Sequence, residues 1–409
     1  MPNKTWLYML CLAEIGTMLV LLNYSAVLPI IREEWGLSNT QAGLIYSAYQ
    51  VGYIVLVVIL STLTDYIDAK KIYVISALWA GAAGIAFALF ANDFMSGLIL
   101  RCLTGFGLAG TYMPGLKMVS ARFNPERRGW AVGLYVGAFS LGTALSLLFS
   151  GILTGLFDWR AAIFVTSLGP IAGGLLAAFT LDSVPPLRTS REKGAFRQVI
   201  SNRSALLIMV GYAAHMWEMF GMRGWIVAFF AAAMVGRNMD MAVATSYGAV
   251  FSAGIIMVGG FSTALAGTLS DRYGRVRTIQ VIMFSSAACS LFFGWIRPWP
   301  ALLVVLISLV YGILVTAESS VLSTSVTELV PFEYLGSAMA LQSLLGWTAA
   351  AIAPVVFGVV LDLTNPAQQV VELGYTPIWG PAFIILGLGA LLGPPAVGLA
   401  GKMSRSGYR

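Results

Sequence analysis

The sequence predicts an all-α membrane protein in which twelve transmembrane helices form two pseudo-symmetric six-helix bundles. Three observations predict this fold class: an apolar composition, twelve long apolar runs, and a charged loop that occurs twice. Hydrophobic residues make up 58% of the 409 residues and charged residues only 10%, whereas soluble domains contain about 25% charged residues. A soluble core does not need so much apolar surface, so a lipid bilayer is the expected surrounding.

Each of the twelve apolar runs is long enough to cross a bilayer as a helix, which takes about 20 predominantly apolar residues. Helices satisfy their own backbone hydrogen bonds in lipid, whereas a β-barrel would show short alternating strands. The predicted spans are residues 6–29, 40–63, 71–92, 94–118, 130–156, 161–181, 204–232, 242–269, 278–296, 301–328, 336–361 and 380–401.

Lysine and arginine are distributed unevenly between alternate loops. The positive-inside rule assigns the more basic side to the cytoplasm, which places both termini and the 182–203 loop there, in a multi-pass protein of the inner (plasma) membrane. The net charge of +6 is therefore a topology signal and not a nucleic-acid patch. The less basic side has four such residues, Arg32, Arg160, Arg237 and Arg297, and the other has seventeen: Lys4, Lys70, Lys71, Arg122, Arg127, Arg128, Arg188, Arg191, Lys193, Arg197, Arg203, Arg272, Arg275, Arg277, Lys402, Arg405 and Arg409.

The longest polar segment, residues 182–203, contains Pro185-Pro186 and separates six spans from six. Its composition is typical of a tether with little structure of its own. We therefore predict an N-terminal bundle at 1–181, a cytoplasmic linker at 182–203 and a C-terminal bundle at 204–409.

The two halves repeat each other most clearly in one loop. Residues 267–277 read Gly-Thr-Leu-Ser-Asp-Arg-Tyr-Gly-Arg-Val-Arg, and residues 61–71 read Ser-Thr-Leu-Thr-Asp-Tyr-Ile-Asp-Ala-Lys-Lys, so that Asp65 and Asp271 lie 206 residues apart. Parallel repeats predict a pseudo-twofold axis along the membrane normal, with any substrate site between the repeats.

These motifs resemble those of the major facilitator superfamily, and the likeness covers essentially the whole chain. Residues 267–277 closely match the family's loop signature, Gly-x-x-x-Asp-Arg-x-Gly-x-x-Arg/Lys, whereas Ser61, Tyr66 and Asp68 depart from it in the first copy. The resemblance implies a secondary transporter with alternating access and cytoplasmic gate contacts, Asp271 with Arg272 and Asp65 with its neighbours. The gate residues carried over are Asp65, Gly267, Asp271, Arg272, Gly274 and Arg275.

Span 4 contains Arg101 followed by Gly105 and Gly107, which resembles the family's motif in this span. The glycines allow close helix approach, and Ile307 at the repeat position of Arg101 indicates that the arginine does not serve symmetric packing. The family's antiporter motif, Gly-Pro-x-x-Gly-Gly, is missing from span 5 and occurs at residues 169–174 in span 6, where we interpret it as chance. Its absence from span 5 counts against a drug/proton antiporter.

Six ionisable residues fall inside predicted spans. Such groups are costly in lipid and usually face a cavity or a partner, so each is a candidate for substrate binding or coupling. The competing interpretation is structural ion pairing, of Glu14 with Arg101 and of Glu218 with Arg223, although the i,i+5 spacing of the second pair suits a helix poorly. The six are Glu14, Arg101, His215, Glu218, Arg223 and Glu318.

Span 7 has the densest polar group, since His215, Glu218, Met219 and Met222 share one helical face. A histidine beside a glutamate in a cavity can carry a proton, because imidazole titrates near neutrality. The competing interpretation is a histidine that is hydrogen-bonded into a helix interface. His215-x-x-x-Met219 also suits Cu(I), a soft ion, and resembles pairs in copper-importing members of the superfamily, although no Met-x-x-x-Met pair occurs here.

Together these features predict a proton-linked secondary transporter of a small organic or inorganic anion. Arg101 and Arg223 would hold the anionic group, and Glu14, Glu218 and His215 are the candidates for proton coupling. The alternatives are a proton-coupled exporter of amphipathic compounds, a copper importer and a non-transporting sensor.

No enzyme is expected, because the lone histidine lacks a nucleophile motif around it. The missing P-loop argues against direct ATP-driven transport. We expect a monomer in the lipid bilayer that binds a small molecule and protons, and that needs no cofactor, metal or nucleic acid.

The topology is testable with reporter fusions. Green fluorescent protein fused after Arg409 should fluoresce, because the C-terminus is expected in the cytoplasm, and alkaline phosphatase at the same place should be inactive. Phosphatase fused after Asp158, in a loop expected outside the cell, should be active. The reverse pattern would contradict the assigned orientation.

Overall fold

The computed structural model describes residues 3–183, 195–366 and 377–406, most of them helical. Twelve helices in this part of the chain are long and apolar enough to cross a membrane, which confirms the predicted all-α fold class. We number them spans 1 to 12: Asn3–Glu34, Asn39–Leu63, Ala69–Phe90, Phe94–Arg122, Arg127–Leu156, Trp159–Thr180, Arg203–Val235, Met241–Tyr273, Arg275–Phe293, Ala301–Leu329, Leu335–Thr364 and Gly380–Met403. A short helix, Ala195–Ser201, precedes span 7, and a 3₁₀ turn, Phe332–Tyr334, precedes span 11.

The chain groups into two compact units. Unit 1 comprises Met1–Thr189 and Ile226–Gly254, and unit 2 comprises Ser190–Trp225 and Ile255–Arg409. Within unit 1, Ser246 of span 8 donates a hydrogen bond of 2.7 Å to the carbonyl of Gly151 in span 5. The domain boundaries expected at 181 and 204 stay predictions, as does the tether, half of which, including Pro185-Pro186, lies outside the described residues.

Four spans consist of two helical segments joined by a short break. The breaks in spans 4 and 10 fall at repeat-related positions, whereas span 7, the repeat partner of span 1, is one continuous helix. A break inside a bilayer is tolerated only where the released backbone groups find partners within the protein. The segments are Asn3–Met18 and Asn23–Glu34 in span 1, Phe94–Ala109 and Tyr112–Arg122 in span 4, Ala301–Ala317 and Ser319–Leu329 in span 10, and Gly380–Ala390 and Gly393–Ser406 in span 12.

The break in span 1 is satisfied by side chains of spans 4 and 5. The hydroxyl of Ser146 donates to the Leu19 carbonyl at 2.6 Å and accepts from the Leu22 amide at 3.2 Å. Arg101 of span 4 donates to two further carbonyls of the same break. The sequence of span 1 alone contains no strong breaker at this point, so its interruption depends on these partners.

Spans 2 and 4 cross in direct backbone contact at two glycines. A Cβ atom on Gly105 would lie 2.0 Å from the carbonyl oxygen of Tyr49, and one on Gly52 would lie 2.1 Å from that of Cys102. Real carbon–oxygen contacts of this kind are much longer, so only glycine allows the two helices to approach this closely.

Spans 1 and 6 meet in the same way, at the motif that we interpreted as chance in the sequence. A Cβ atom on Gly169 would lie 2.7 Å from the Gly16 carbonyl, and one on Gly173 would lie 2.5 Å from the Ala13 carbonyl. The glycines at 169 and 173 therefore have a packing role, and the interpretation as chance is corrected to that extent.

Substitution of Gly105 by alanine should lower the melting temperature of the detergent-purified protein. The added methyl meets a carbonyl oxygen that cannot rotate away, and overpacking of this kind costs about 1–3 kcal/mol. The matched control is Gly133→Ala, because Gly133 is exposed and a Cβ there has nothing within 4 Å. It should be neutral or slightly stabilising; equal effects of both substitutions would contradict the packing assignment.

Candidate functional site

Arg101 is buried inside unit 1, with a relative exposure of 2%. Its Nη1 atom donates to the Val20 carbonyl at 3.2 Å and to Asn23 Oδ1 at 2.9 Å, and Nη2 donates to the Leu21 carbonyl at 3.3 Å. Carbonyls and an amide oxygen provide partial negative charge without neutralising the guanidinium. The site therefore contains a whole positive charge on its arginine.

Two aromatic rings enclose the same guanidinium. Its central carbon lies 4.7 Å from the ring centroid of Tyr49 and 5.6 Å from that of Tyr24, distances typical of cation–π contacts. Asn23 is itself held by a hydrogen bond of 3.1 Å from its amide nitrogen to Thr166 Oγ1. Arg101 is thus held on several sides by rigid groups, which fixes the direction of its unused donors.

Two of the five N–H donors of Arg101 have no hydrogen-bond acceptor among the described residues. Three donors serve Val20, Asn23 and Leu21, which leaves the Nε hydrogen and one Nη2 hydrogen. Unused guanidinium donors of this kind can bind the oxygens of a carboxylate or a sulfonate. The hydroxyl of Tyr49 is likewise buried and without a hydrogen-bond partner among the described residues.

Glu14 lies in a separate polar cluster of unit 1 and does not pair with Arg101. It is fully buried, and its Oε2 atom accepts from Thr17 at 3.2 Å and from the Tyr73 hydroxyl at 3.1 Å. The structural pairing of Glu14 with Arg101, which the sequence left open, is therefore wrong. Tyr73, in span 3, was not a sequence candidate, because a tyrosine in an apolar run gives no signal of its partner.

In unit 2, His215 of span 7 pairs with Glu318 of span 10. His215 Nδ1 lies 3.0 Å from Glu318 Oε1, and both side chains are fully buried. The other two polar atoms, His215 Nε2 and Glu318 Oε2, have no hydrogen-bond partner among the described residues. The sequence predicted a histidine beside Glu218, whereas the structure selects Glu318 because span 10 lies against this face of span 7.

Glu218 is directed toward span 9. Its Oε1 atom accepts from Ser286 at 2.9 Å and from Ser290 at 2.8 Å, and Ser290 in turn shares a hydrogen bond with the hydroxyl of Tyr311. These contacts, and not an ion pair with Arg223, satisfy the oxygen. The two serines lie four residues apart on one face of an apolar helix, a weak signal that could have identified them.

The remaining candidates of span 7 are also buried. The guanidinium of Arg223 lies 5.6 Å from the ring centroid of Phe220, and Met219 and Met222 are 6% and 1% exposed. Among the described residues, no group of three or more His, Cys, Asp or Glu side chains could hold a metal ion.

The predicted first gate loop is tied to the C-terminal end of span 4. Lys117 Nζ lies 2.5 Å from Asp65 Oδ1 and also donates to Thr64 Oγ1 at 2.9 Å. Nearby, Arg122 Nη1 donates to Asp182 at 2.7 Å, and this hydrogen bond holds the pKa of the Asp182 carboxyl below its usual range. Asp65 therefore pairs with a residue of a neighbouring helix and not with its neighbours in sequence, and its role in a gate stays a prediction.

The second gate loop has the opposite arrangement of charge. Arg275 pairs with Asp271 at 2.5 Å and reaches span 10 through Glu328 at 2.9 Å. Arg272, the expected partner of Asp271, is exposed and lies over the ring of its neighbour Tyr273. In unit 1 the loop provides the acidic residue of the ion pair, Asp65, and span 4 provides the basic one. In unit 2 the loop provides the basic residue, Arg275, and span 10 provides the acidic one.

Two glycines of the second loop have different roles. Gly274 has φ +86°, a left-handed conformation that favours glycine, and it precedes the helix of span 9. Gly267 has open space where a Cβ would be, so the structure indicates no steric need for glycine there.

Comparisons with known proteins agree with this architecture. A family model described as Major Facilitator Superfamily matches residues 10–354. The chain is 26% identical to the probable sulfoacetate transporter SauU of Cupriavidus necator over 84% of both chains, and 23% identical to the hexuronate transporter of Bacillus subtilis over 91% of both. Its fold is similar to that of a bacterial homolog of the human lysosomal transporter Spinster in the inward-facing state, with a TM-score of 0.83, 14% identity, and coverage of 98% of this chain and 97% of that one.

The ion pair of the first gate loop can be measured by a double-mutant cycle. Asp65→Ala and Lys117→Ala should be less than additive in their effect on thermal stability, because each removes the same contact. The side chains are 21% and 27% exposed, so we expect a coupling of about 1 kcal/mol, at the upper end for surface pairs. Asp65→Ala combined with Lys71→Ala is the control and should be additive, since Lys71 is exposed; equal coupling in both cycles would contradict the assignment.

Proposed function

The chain belongs to the Major Facilitator Superfamily, and from this premise we propose that it is a proton-linked transporter of a small organic anion that works by alternating access. The proposal includes a monomer in the inner membrane with both termini in the cytoplasm. The excess of lysine and arginine in alternate loops supports that orientation.

The comparisons support the substrate class. The two relatives are named for sulfoacetate and hexuronate, which are small polar molecules with at least one carboxylate. At 23–26% identity they favour a class of substrate and not an individual compound.

Arg101 is the single observation on which the proposal depends. A guanidinium that has no carboxylate partner among the described residues is costly to bury in a membrane, and here it is held by neutral acceptors at the break in span 1. An arriving anion would find a full positive charge with two unused N–H donors. Such charge-assisted, two-pronged hydrogen bonds are among the strongest in proteins.

The surroundings of Arg101 favour a compact anion. Tyr49 and Tyr24 lie against the guanidinium, and the Tyr49 hydroxyl adds a neutral donor that suits an anionic or hydroxylated substrate. A cationic amphiphile would meet the charge of Arg101 at short range and be repelled. This argument favours the anion transporter over the exporter of amphipathic compounds.

Anion binding can be tested by thermal shift and by uptake into proteoliposomes. The panel contains sulfoacetate, glucuronate, galacturonate and 4-hydroxybenzoate, with a cationic amphiphile and Cu(I) as competitors of other classes. A specific anion should stabilise the wild-type protein by binding its folded state. Arg101→Ala should abolish that stabilisation.

Arg101 also supports the break in span 1, so a second variant separates binding from folding. Tyr49→Phe keeps the ring and removes only a hydroxyl without a hydrogen-bond partner among the described residues. It should leave the melting temperature of the unliganded protein unchanged and weaken anion affinity about tenfold, the worth of one hydrogen bond to a charged group. Stabilisation by the amphiphile or Cu(I) alone would overturn the proposal.

A further inference from the structure

We infer that the proton of this transporter binds in unit 2, at a cluster formed by His215, Glu318 and Glu218, while the anion binds at Arg101 in unit 1. The inference rests on the proposed function and adds that the two units bind different species. Of the three proton candidates predicted from sequence, it retains His215 and Glu218, adds Glu318 as the direct partner of the histidine, and excludes Glu14.

His215 and Glu318 form a close, buried pair. His215 Nδ1 and Glu318 Oε1 lie 3.0 Å apart with both side chains fully buried, and one polar atom of each lacks a hydrogen-bond partner among the described residues. Buried polar groups are nearly always satisfied. Two unsatisfied atoms on one contacting pair indicate a place where a proton, with the water that carries it, is gained and lost.

Three ionisable groups are buried in this cluster. His215 contacts Glu318 and shares one face of span 7 with Glu218, so two buried carboxylates lie near one imidazole. A proton on His215 balances one carboxylate, and the second carboxylate favours a further proton, because like charges in a site of low dielectric do not readily coexist.

The neighbouring groups are few. Span 7 adds Tyr212 and Arg223, span 9 adds Cys289, and span 10 adds Tyr311; the described parts of spans 11 and 12 near this depth contribute no charged residue. Arg223 is the one cation among them, and its guanidinium lies over Phe220. The hydroxyls of Ser286 and Ser290 both donate to Glu218 Oε1, and Ser290 also shares a hydrogen bond with the hydroxyl of Tyr311.

Glu318 lies at the break in span 10. It is the residue between Ala301–Ala317 and Ser319–Leu329, the two helical segments of span 10. A change of charge on the His215–Glu318 pair therefore acts at a joint and not in the middle of a continuous helix. Proton binding can shift the conformational equilibrium only by its difference in affinity between two states, and a joint is where two states differ most.

Glu14 shares one of these features, because its Oε1 atom also lacks a hydrogen-bond partner among the described residues, but it differs from Glu318 in its partners and in its place in the helix. It accepts hydrogen bonds from Thr17 and Tyr73, contacts no histidine or second carboxylate, and lies within the unbroken segment Asn3–Met18 of span 1. Because Glu14 and Glu218 are equally buried and lie 204 residues apart, in spans 1 and 7 of the two repeats, Glu14→Gln is a matched control.

The test separates coupling from transport in proteoliposomes, with radiolabelled sulfoacetate and glucuronate as probes. One assay measures exchange against the same unlabelled anion without a pH gradient. The other measures accumulation driven by a gradient of about one pH unit at zero membrane potential, which supports roughly tenfold accumulation per coupled proton.

Glu318→Gln, His215→Gln and Glu218→Gln should keep exchange within about threefold of wild type and lose most of the gradient-driven accumulation, since binding steps remain and only the proton step fails. Glu14→Gln should keep both activities, and Arg101→Ala should lose both. Gradient-driven accumulation at the wild-type level in Glu318→Gln would overturn the inference.

A measurement without substrate keeps the two proposals apart. The melting temperature of the wild-type protein, measured between about pH 5 and pH 9, should depend on pH because the cluster binds a proton, and Glu318→Gln and His215→Gln should lose this dependence while Glu14→Gln keeps it. If the wild-type protein moves neither anion, the proposed function fails. The pH profile then decides by itself whether the cluster binds a proton, and an unchanged profile in Glu318→Gln excludes it.

Discussion

The backbone of span 1 leaves the helix between Met18 and Asn23, inside a span long and apolar enough to cross a membrane, and the carbonyls released there must be satisfied by protein. Arg101 and Ser146 provide the hydrogen bonds. This requirement explains why an arginine is tolerated at that depth, since the released carbonyls stabilise its charge without cancelling it. The remaining charge is the reason why we propose an anion site in this part of unit 1.

The two units share a plan but use different residues at corresponding places. Glu14 and Glu218 both accept from hydroxyls of a neighbouring span, so this feature follows the repeat. Arg101 has Ile307 as its repeat partner, and the charged residue of span 10 is instead Glu318 at the break. The gate loops also differ, because the acid lies on the loop in unit 1 and on span 10 in unit 2. The departure of the first loop from the family signature accompanies this exchange of partners.

Close helix contact limits where any of these groups can lie. The glycine crossings of spans 2 and 4, and of spans 1 and 6, bring backbones together with no room for a Cβ atom. The first of these crossings involves Tyr49 and Gly105, one turn from Arg101. A small displacement there would move the tyrosine ring away from the guanidinium, so packing and the charged site are mechanically linked.

Composition, apolar run length and the repeat were sufficient to predict twelve helical spans, the family and the set of buried ionisable residues, because each of these is a local or periodic property of the chain. The pairings were not predictable. Sequence placed His215 with Glu218 and Asp271 with Arg272, since neighbours on one helix are all that periodicity can reveal. Glu318 and Arg275 replaced them because contacts between helices depend on crossing position and helix breaks, and those arise only when all the spans pack together.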